Sequence, residues 1–183
     1  MHTWAKLTLA IIWALSMSGC DSNDPTGSSF TAVFYPDTST PPANSISMQA
    51  ARNNAQRIHI SVHAQDISNG KVFGAAFDLQ FRPVILEYIG YEPGEFLESS
   101  GRQVLYQVAV EDGNPGRLIV GISLVGDAEG VTGTGALITL KFKAIAADIS
   151  PMTFSNNVLL DNTPPGGNPI TGIAWYAGRA QVD

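Results

Sequence analysis

Arg57-Ile58-His59-Ile60-Ser61-Val62-His63 alternates polar and apolar residues along its whole length. Successive side chains of a strand point to opposite faces, so this period of two puts Ile58, Ile60 and Val62 on one buried side of a sheet. Phe77-Asp78-Leu79-Gln80-Phe81-Arg82 repeats the pattern, as does Arg117-Leu118-Ile119-Val120-Gly121-Ile122, apart from Ile119. Further strands are expected over 46–51, 84–91, 103–111, 136–144, 151–161 and 172–182. Turn residues separate them: Ser68-Asn69-Gly70, Glu92-Pro93-Gly94, Asp112-Gly113-Asn114-Pro115-Gly116 and Thr163-Pro164-Pro165-Gly166-Gly167. No window of helical length carries an i, i+3, i+4 apolar stripe. About nine short strands with Gly/Pro turns predict an all-β sandwich or barrel.

The N-terminal side has different chemistry. Lys6 precedes an apolar run, Leu7 to Leu15, interrupted only by Thr8 and followed by Ser16-Met17-Ser18-Gly19-Cys20. This order is that of a secretory signal with a small-residue cleavage site. This nine-residue segment falls well short of the ~20 residues that a spanning helix needs. Met17-Ser18-Gly19-Cys20 resembles the lipobox of bacterial lipoproteins, in which the cysteine becomes the lipid-bearing N-terminus. That resemblance assigns residues 1–19 to a signal peptide and implies lipidation at Cys20. The protein is then extracytoplasmic and anchored to a bacterial membrane, on the periplasmic side or at the cell surface. Asp21 after Cys20 resembles the inner-membrane retention signal of enteric bacteria, a code that does not hold in all lineages. Asp21 to Ser29 and Pro36 to Asn44 are linker-like. Phe30 to Tyr35, between them, reads as a first docking strand or as part of the spacer. Residues 20–44 are therefore expected to be a lipidated tether and 45–183 the folded domain.

Processing leaves 164 of the 183 residues, enough for one domain with its own core. Lys6 leaves with the signal, so 9 of the 10 basic residues remain beside 16 acidic ones, a formal charge of −7. That balance, with no basic stripe, excludes nucleic acid as a partner. The single cysteine permits no intramolecular disulfide, and a monomer is expected.

No catalytic constellation is visible, and the protein is expected not to be an enzyme. There is no G-x-S-x-G and no H-E-x-x-H. Glu92, Glu95 and Glu98 lie in a turn-rich segment, where solvated carboxylates are the default. His59 and His63 share a strand face about 13 Å apart, too far for one metal, and read as a solvent-facing pair. Asp127-Ala128-Glu129 lacks the further oxygen ligands of a calcium loop. Neither a cofactor nor a metal is expected.

Several motifs in order then resemble one family. Gly74 to Tyr88 is similar to the "F-x-L-x-Y-D-P-x-V-L-E" segment of cohesin modules, and Glu92-Pro93-Gly94-Glu95-Phe96-Leu97 to the "x-P-G-x-x-L" that follows it. Gly116 to Ile122 resembles the family's central strand, and Gly133 to Ala144 its "G-x-G-x-L-x-x-I-x-F-x" strand. Met152-Thr153-Phe154 and Val158 to Asp161 continue the order. The resemblance implies a nine-stranded jelly-roll β-sandwich that is non-catalytic and binds dockerin modules through the outer surface of one sheet. On this sequence the surface falls on strands within 72–81, 103–111, 117–124 and 151–161. Many cohesins place an acid or Asn just ahead of the Phe of the first of these strands; here that place is Ala76.

If Leu118, Val120 and Ile122 point inward, Ile119 points outward. Leu105 then flanks it, with Val104, Tyr106 and Val108 inward. Two aliphatics amid Ala76, Asp78, Gln80, Gln107 and Ser123 make a small apolar centre with a polar rim, the composition of a protein-binding face. The same residues also fit scattered surface aliphatics. Two other functions stay open from sequence. A carbohydrate or polysaccharide site needs exposed aromatics, and Trp175-Tyr176 supplies the mature chain's only tryptophan, with one ring of the pair facing out. The third possibility is a structural spacer in an envelope assembly.

Overall fold

A computed structural model describes residues 30–164 and 166–183. The signal peptide and Cys20 expected from the sequence lie outside the described residues. The alternation around His59 folds into a long strand whose Ile58, Ile60 and Val62 are fully buried. In chain order the elements are β1 (Ala32–Pro36), β2 (Ser45–Asn54), β3 (Arg57–Val72), β4 (Gly74–Gln80), β5 (Leu86–Pro93), α1 (Glu95–Glu98), β6 (Val104–Glu111), β7 (Asn114–Leu124), β8 (Val131–Ala144), β9 (Asp148–Leu160), β10 (Ala174–Tyr176) and β11 (Gly178–Val182).

Two sheets form the all-β sandwich. One has the order β1-β11-β9-β4-β7-β6, the other β10-β2-β3-β8-β5. Pairing is antiparallel throughout, except between β10 and β2. The inward rows of both sheets meet in one core. Phe77 and Leu79 of β4 and Leu118, Val120 and Ile122 of β7 face Ile58, Ile60 and Val62 of β3 and Ile138, Leu140 and Phe142 of β8. Phe81 and Phe142 contact edge-on at 5.1 Å, a geometry that adds to the gain from burial.

The structure departs from the sequence expectation in four places. The described residues form eleven strands, not nine. Ala32–Pro36 pairs along its length with β11, and Ala32 and Phe34 are buried, so the sandwich begins well before Ser45 and takes in part of the expected tether. The turn expected at Ser68-Asn69-Gly70 is a continuation of β3. Irregular register at 64–72 absorbs it, and the Asn44 side chain accepts hydrogen bonds from the Ser68 and Asn69 amides. Finally, the single C-terminal strand expected over 172–182 divides at Ala177: β10 joins one sheet and β11 the other.

Candidate functional site: the outer face of the six-stranded sheet

Cross-strand register lays out this face row by row. Leu105 lies opposite Ser123. Gln107, Gly121, Ala76 and Val158 form the next row, and Ala109, Ile119, Asp78 and Ser155 the one after. Gln80 lies opposite Arg117. All seven residues expected at a partner-binding face, Ala76, Asp78, Gln80, Leu105, Gln107, Ile119 and Ser123, belong to one outward surface, but Leu105 does not flank Ile119 as expected: Ala109 takes that place, and Leu105 lies two rows further, about 13 Å along the strand. Leu105 is 50% exposed and Ile119 44%, while Val120 beside it is 1% exposed. Ala76, Gln107, Ala109, Ile119 and Gly121 line a shallow depression of about 660 Å³, with Tyr91 and Tyr106 at its rim. Gly121 leaves its floor open. A Cβ there would meet nothing nearer than Gln107 at 4.0 Å.

Asp78 is a correction to that layout. It points outward, yet it is only 4% exposed and does not form a free polar rim. Its Oδ2 accepts hydrogen bonds from Arg117 Nη2 at 2.6 Å and Asn156 Nδ2 at 2.5 Å. Arg117 also donates through Nη1 to Glu111 Oε1 at 2.6 Å. Burial pushes the Asp78 carboxyl up, but the hydrogen bonds from Arg117 and Asn156 and the guanidinium charge outweigh it, so it stays below the ordinary carboxylate range. Asn156 reaches Asp78 because β9 bulges between the residues opposite Ala76 and Asp78, with Asn156 at φ 50. Sequence reasoning missed Arg117, Glu111 and Asn156 because Arg117 and Asn156 lie 39 and 78 residues from Asp78. The one available signal was Asn, which tolerates the left-handed backbone of a bulge. The face therefore offers a partner aliphatic and amide groups, with its charges engaged among themselves.

The other candidate residues fall elsewhere. His59 and His63 lie half-buried on the outer side of the second sheet, not solvent-facing as expected. Burial lowers both below the ordinary histidine value, against the pull of Glu92 on His59 and of Glu95 on His63. Glu95 accepts a hydrogen bond from the Ala136 amide, Glu92 pairs with Lys141 at 2.8 Å, and Glu129 pairs with Lys71. No group of three His, Cys, Asp or Glu side chains among the described residues is placed to hold a metal. Trp175 packs inward, its ring 5.0 Å from Phe154 and 5.9 Å from Phe77, so Tyr176 is the outward member of the pair.

Comparison with known proteins agrees with this architecture. The cohesin domain model matches residues 45–166. Among solved structures, the second type II cohesin module of an adaptor scaffoldin from Acetivibrio cellulolyticus is 16% identical, with a TM-score of 0.57 over 82% of this chain and 88% of that one. A non-cellulosomal cohesin from Archaeoglobus fulgidus is 19% identical, with a TM-score of 0.52 over 81% of this chain and 88% of that one. A type II cohesin–X-dockerin complex from Acetivibrio cellulolyticus contributes a chain 17% identical, with a TM-score of 0.54 over 80% and 94%. A search of the curated proteins matches none.

Proposed function

The chain belongs to the cohesin domain family, and from that premise we propose that it is a membrane-anchored receptor that binds a dockerin-like protein through the outer face of β9-β4-β7-β6. Cohesin domains are non-catalytic protein-binding modules, and solved cohesins of this fold are held in complexes with dockerins. One observation carries the reading for this chain. Ile119 sits in mid-strand with its side chain in solvent, beside a fully buried Val120. Folding gives no reason for that outward position to be apolar, whereas an interface centre does. Ala109, Ala76 and the dent over Gly121 extend the apolar centre, Gln80 and Gln107 border it, and Leu105 beside Ser123 adds a second aliphatic about 13 Å along the strand. With Ala76 where many relatives carry an acid or Asn, and Asp78 sequestered by Arg117, recognition rests on shape and aliphatic contact more than on a carboxylate of this face. Lipidation at Cys20 would hold the domain at a bacterial membrane, facing away from the cytoplasm. The carbohydrate alternative is weakened because Trp175 is engaged in the core.

The test compares Ile119→Asp with the unsubstituted protein. The partner is captured from envelope extracts, identified, and its affinity measured by titration. Ile119→Asp is expected to weaken binding by at least ~2 kcal/mol, the scale of an interface hot spot. Stability should fall by no more than about 1 kcal/mol, the cost of setting a second carboxylate opposite Asp78 at an exposed position. A variant that melts normally and binds with undiminished affinity rules this face out.

A further inference from the structure

Each sheet ends in two strands with a free edge, and three of these four edges are blunted. β1 is five residues long and ends in Pro36, and β10 has only three residues. β5 carries Glu87 and Glu92, a register shift at Gly90 and a closing Pro93. These are the devices by which proteins stop edge strands from pairing with other chains. β6 has a charge and a register shift only at its last residue, Glu111. Val104-Leu105-Tyr106-Gln107-Val108-Ala109-Val110 is seven residues without charge, proline or bulge, and its register with β7 is unbroken up to Val110. Among the described residues, nothing pairs with its far side.

The hydrogen-bond parity says which amides are free. The Val125 amide donates to the Gln103 carbonyl at 2.9 Å, so the odd-numbered residues of β6 bond to β7. Bonded and non-bonded pairs alternate in an antiparallel ladder. Val104, Tyr106, Val108 and Val110 therefore turn their N–H and C=O groups to the open edge. The uncharged run is also nearly symmetric about its middle residue, Gln107.

From these observations we infer that β6 is a self-association edge, and that two copies of the chain join antiparallel about a twofold axis at Gln107. This goes beyond the partner-binding reading and does not rest on it; it replaces the monomer expected from sequence. In this register Val104 meets Val110 of the second copy, Leu105 meets Ala109, Tyr106 meets Val108, and Gln107 meets itself. Each apolar residue faces an apolar one, and the single amide finds its equal. The open amides fall on the Val104–Val110 and Tyr106–Val108 pairs, where an antiparallel ladder needs them. No shift by an even number of residues pairs as much of the run. Two six-stranded sheets become one, with their outer faces on the same side.

The register makes cysteine cross-linking diagnostic. Gln107 and its symmetry mate form a non-hydrogen-bonded pair with Cα atoms about 4.5 Å apart, within disulfide range. Ala109 and its own mate are offset by four residues, about 13 Å. In a Cys20→Ser background, Gln107→Cys should cross-link into dimers under mild oxidation, and Ala109→Cys should not. Sedimentation equilibrium of the Cys20→Ser chain should show a concentration-dependent dimer. Gln107→Glu, which sets like charges against each other at an exposed site, should raise its dissociation constant about fivefold. A protein that sediments as a monomer up to its solubility limit overturns the inference. So does a dimer that cross-links no better at 107 than at 109.

Discussion

Arg117 Nη2 lies 2.6 Å from Asp78 Oδ2 on the outer face of the sheet, and with Asn156 it covers that carboxylate almost completely. A carboxylate that alternation places in solvent is instead a buried anchor joining β4, β7 and β9. Asp78→Asn should therefore lower stability by about 1–3 kcal/mol, because it removes the charge while leaving the Arg117 and Asn156 donors in place. Chemical denaturation at neutral pH measures this. A loss no larger than that of Gln80→Asn, an exposed neighbour in the same strand, would show that the network adds nothing.

Acid should destabilise the domain in two stages. His59 and His63 have folded values below 6.5, so the unfolded chain takes protons more readily. Their penalty is absent well above pH 6.5 and grows as pH falls through it. Asp78 and Glu95 have folded values below 3.8 and 4.5, so their stabilising contribution is complete above those values and disappears at lower pH. Urea melts across this range should show both stages. The double variant His59→Gln, His63→Gln should lose the upper stage and keep the lower one.

Two glycines should respond in opposite ways. A Cβ at Gly94 would lie 2.2 Å from the Ala136 carbonyl oxygen and 2.5 Å from the Leu137 carbonyl carbon, both backbone atoms that cannot step aside. Gly94→Ala should cost about 1–3 kcal/mol as overpacking. Gly121 has open space above it, so Gly121→Ala should gain about 0.5–1 kcal/mol from a stiffer strand. Thermal melts of the two variants, run side by side, check the contrast.

Anchoring can be tested apart from folding. Cys20→Ala should abolish incorporation of a fatty-acid probe and leave an unprocessed precursor or a protein released from the membrane. Equal labelling of both proteins would remove Cys20 as the lipid site. With two or more acyl chains the attachment is effectively stable, since each buried CH₂ adds about 0.8 kcal/mol.

Local periodicity carried most of the fold. Ile58, Ile60 and Val62 alternate with polar residues because one side of β3 is core, and the same logic put Ile119 outward and Val120 inward, as the structure has them. What escaped the sequence depends on distant partners. Ala32–Pro36 becomes a strand only through β11, about 150 residues away, and its linker-like flanks hid it. The role of Asp78 needs Arg117 and Asn156, and the surroundings of the histidines, Glu92 near His59 and Glu95 near His63, come from a segment about thirty residues on. Trp175 faces inward because Phe77 and Phe154 offer it a surface, a contact that no spacing encodes.

The pairing of β1 with β11 also decides how the domain would carry mechanical load. Thr31 and Asp183 exchange two backbone hydrogen bonds, at 2.8 and 3.0 Å, and the ladder runs from there to Pro36 and Gly178. Tension between Thr31 and Asp183 would open those bonds one after another, like a zip. Tension between Thr31 and a partner gripping the sheet pulls β1 along its own axis, so its bonds resist together in shear. Were the chain tethered ahead of β1 and pulled by a partner on that sheet, as proposed, the load would fall in its stronger direction.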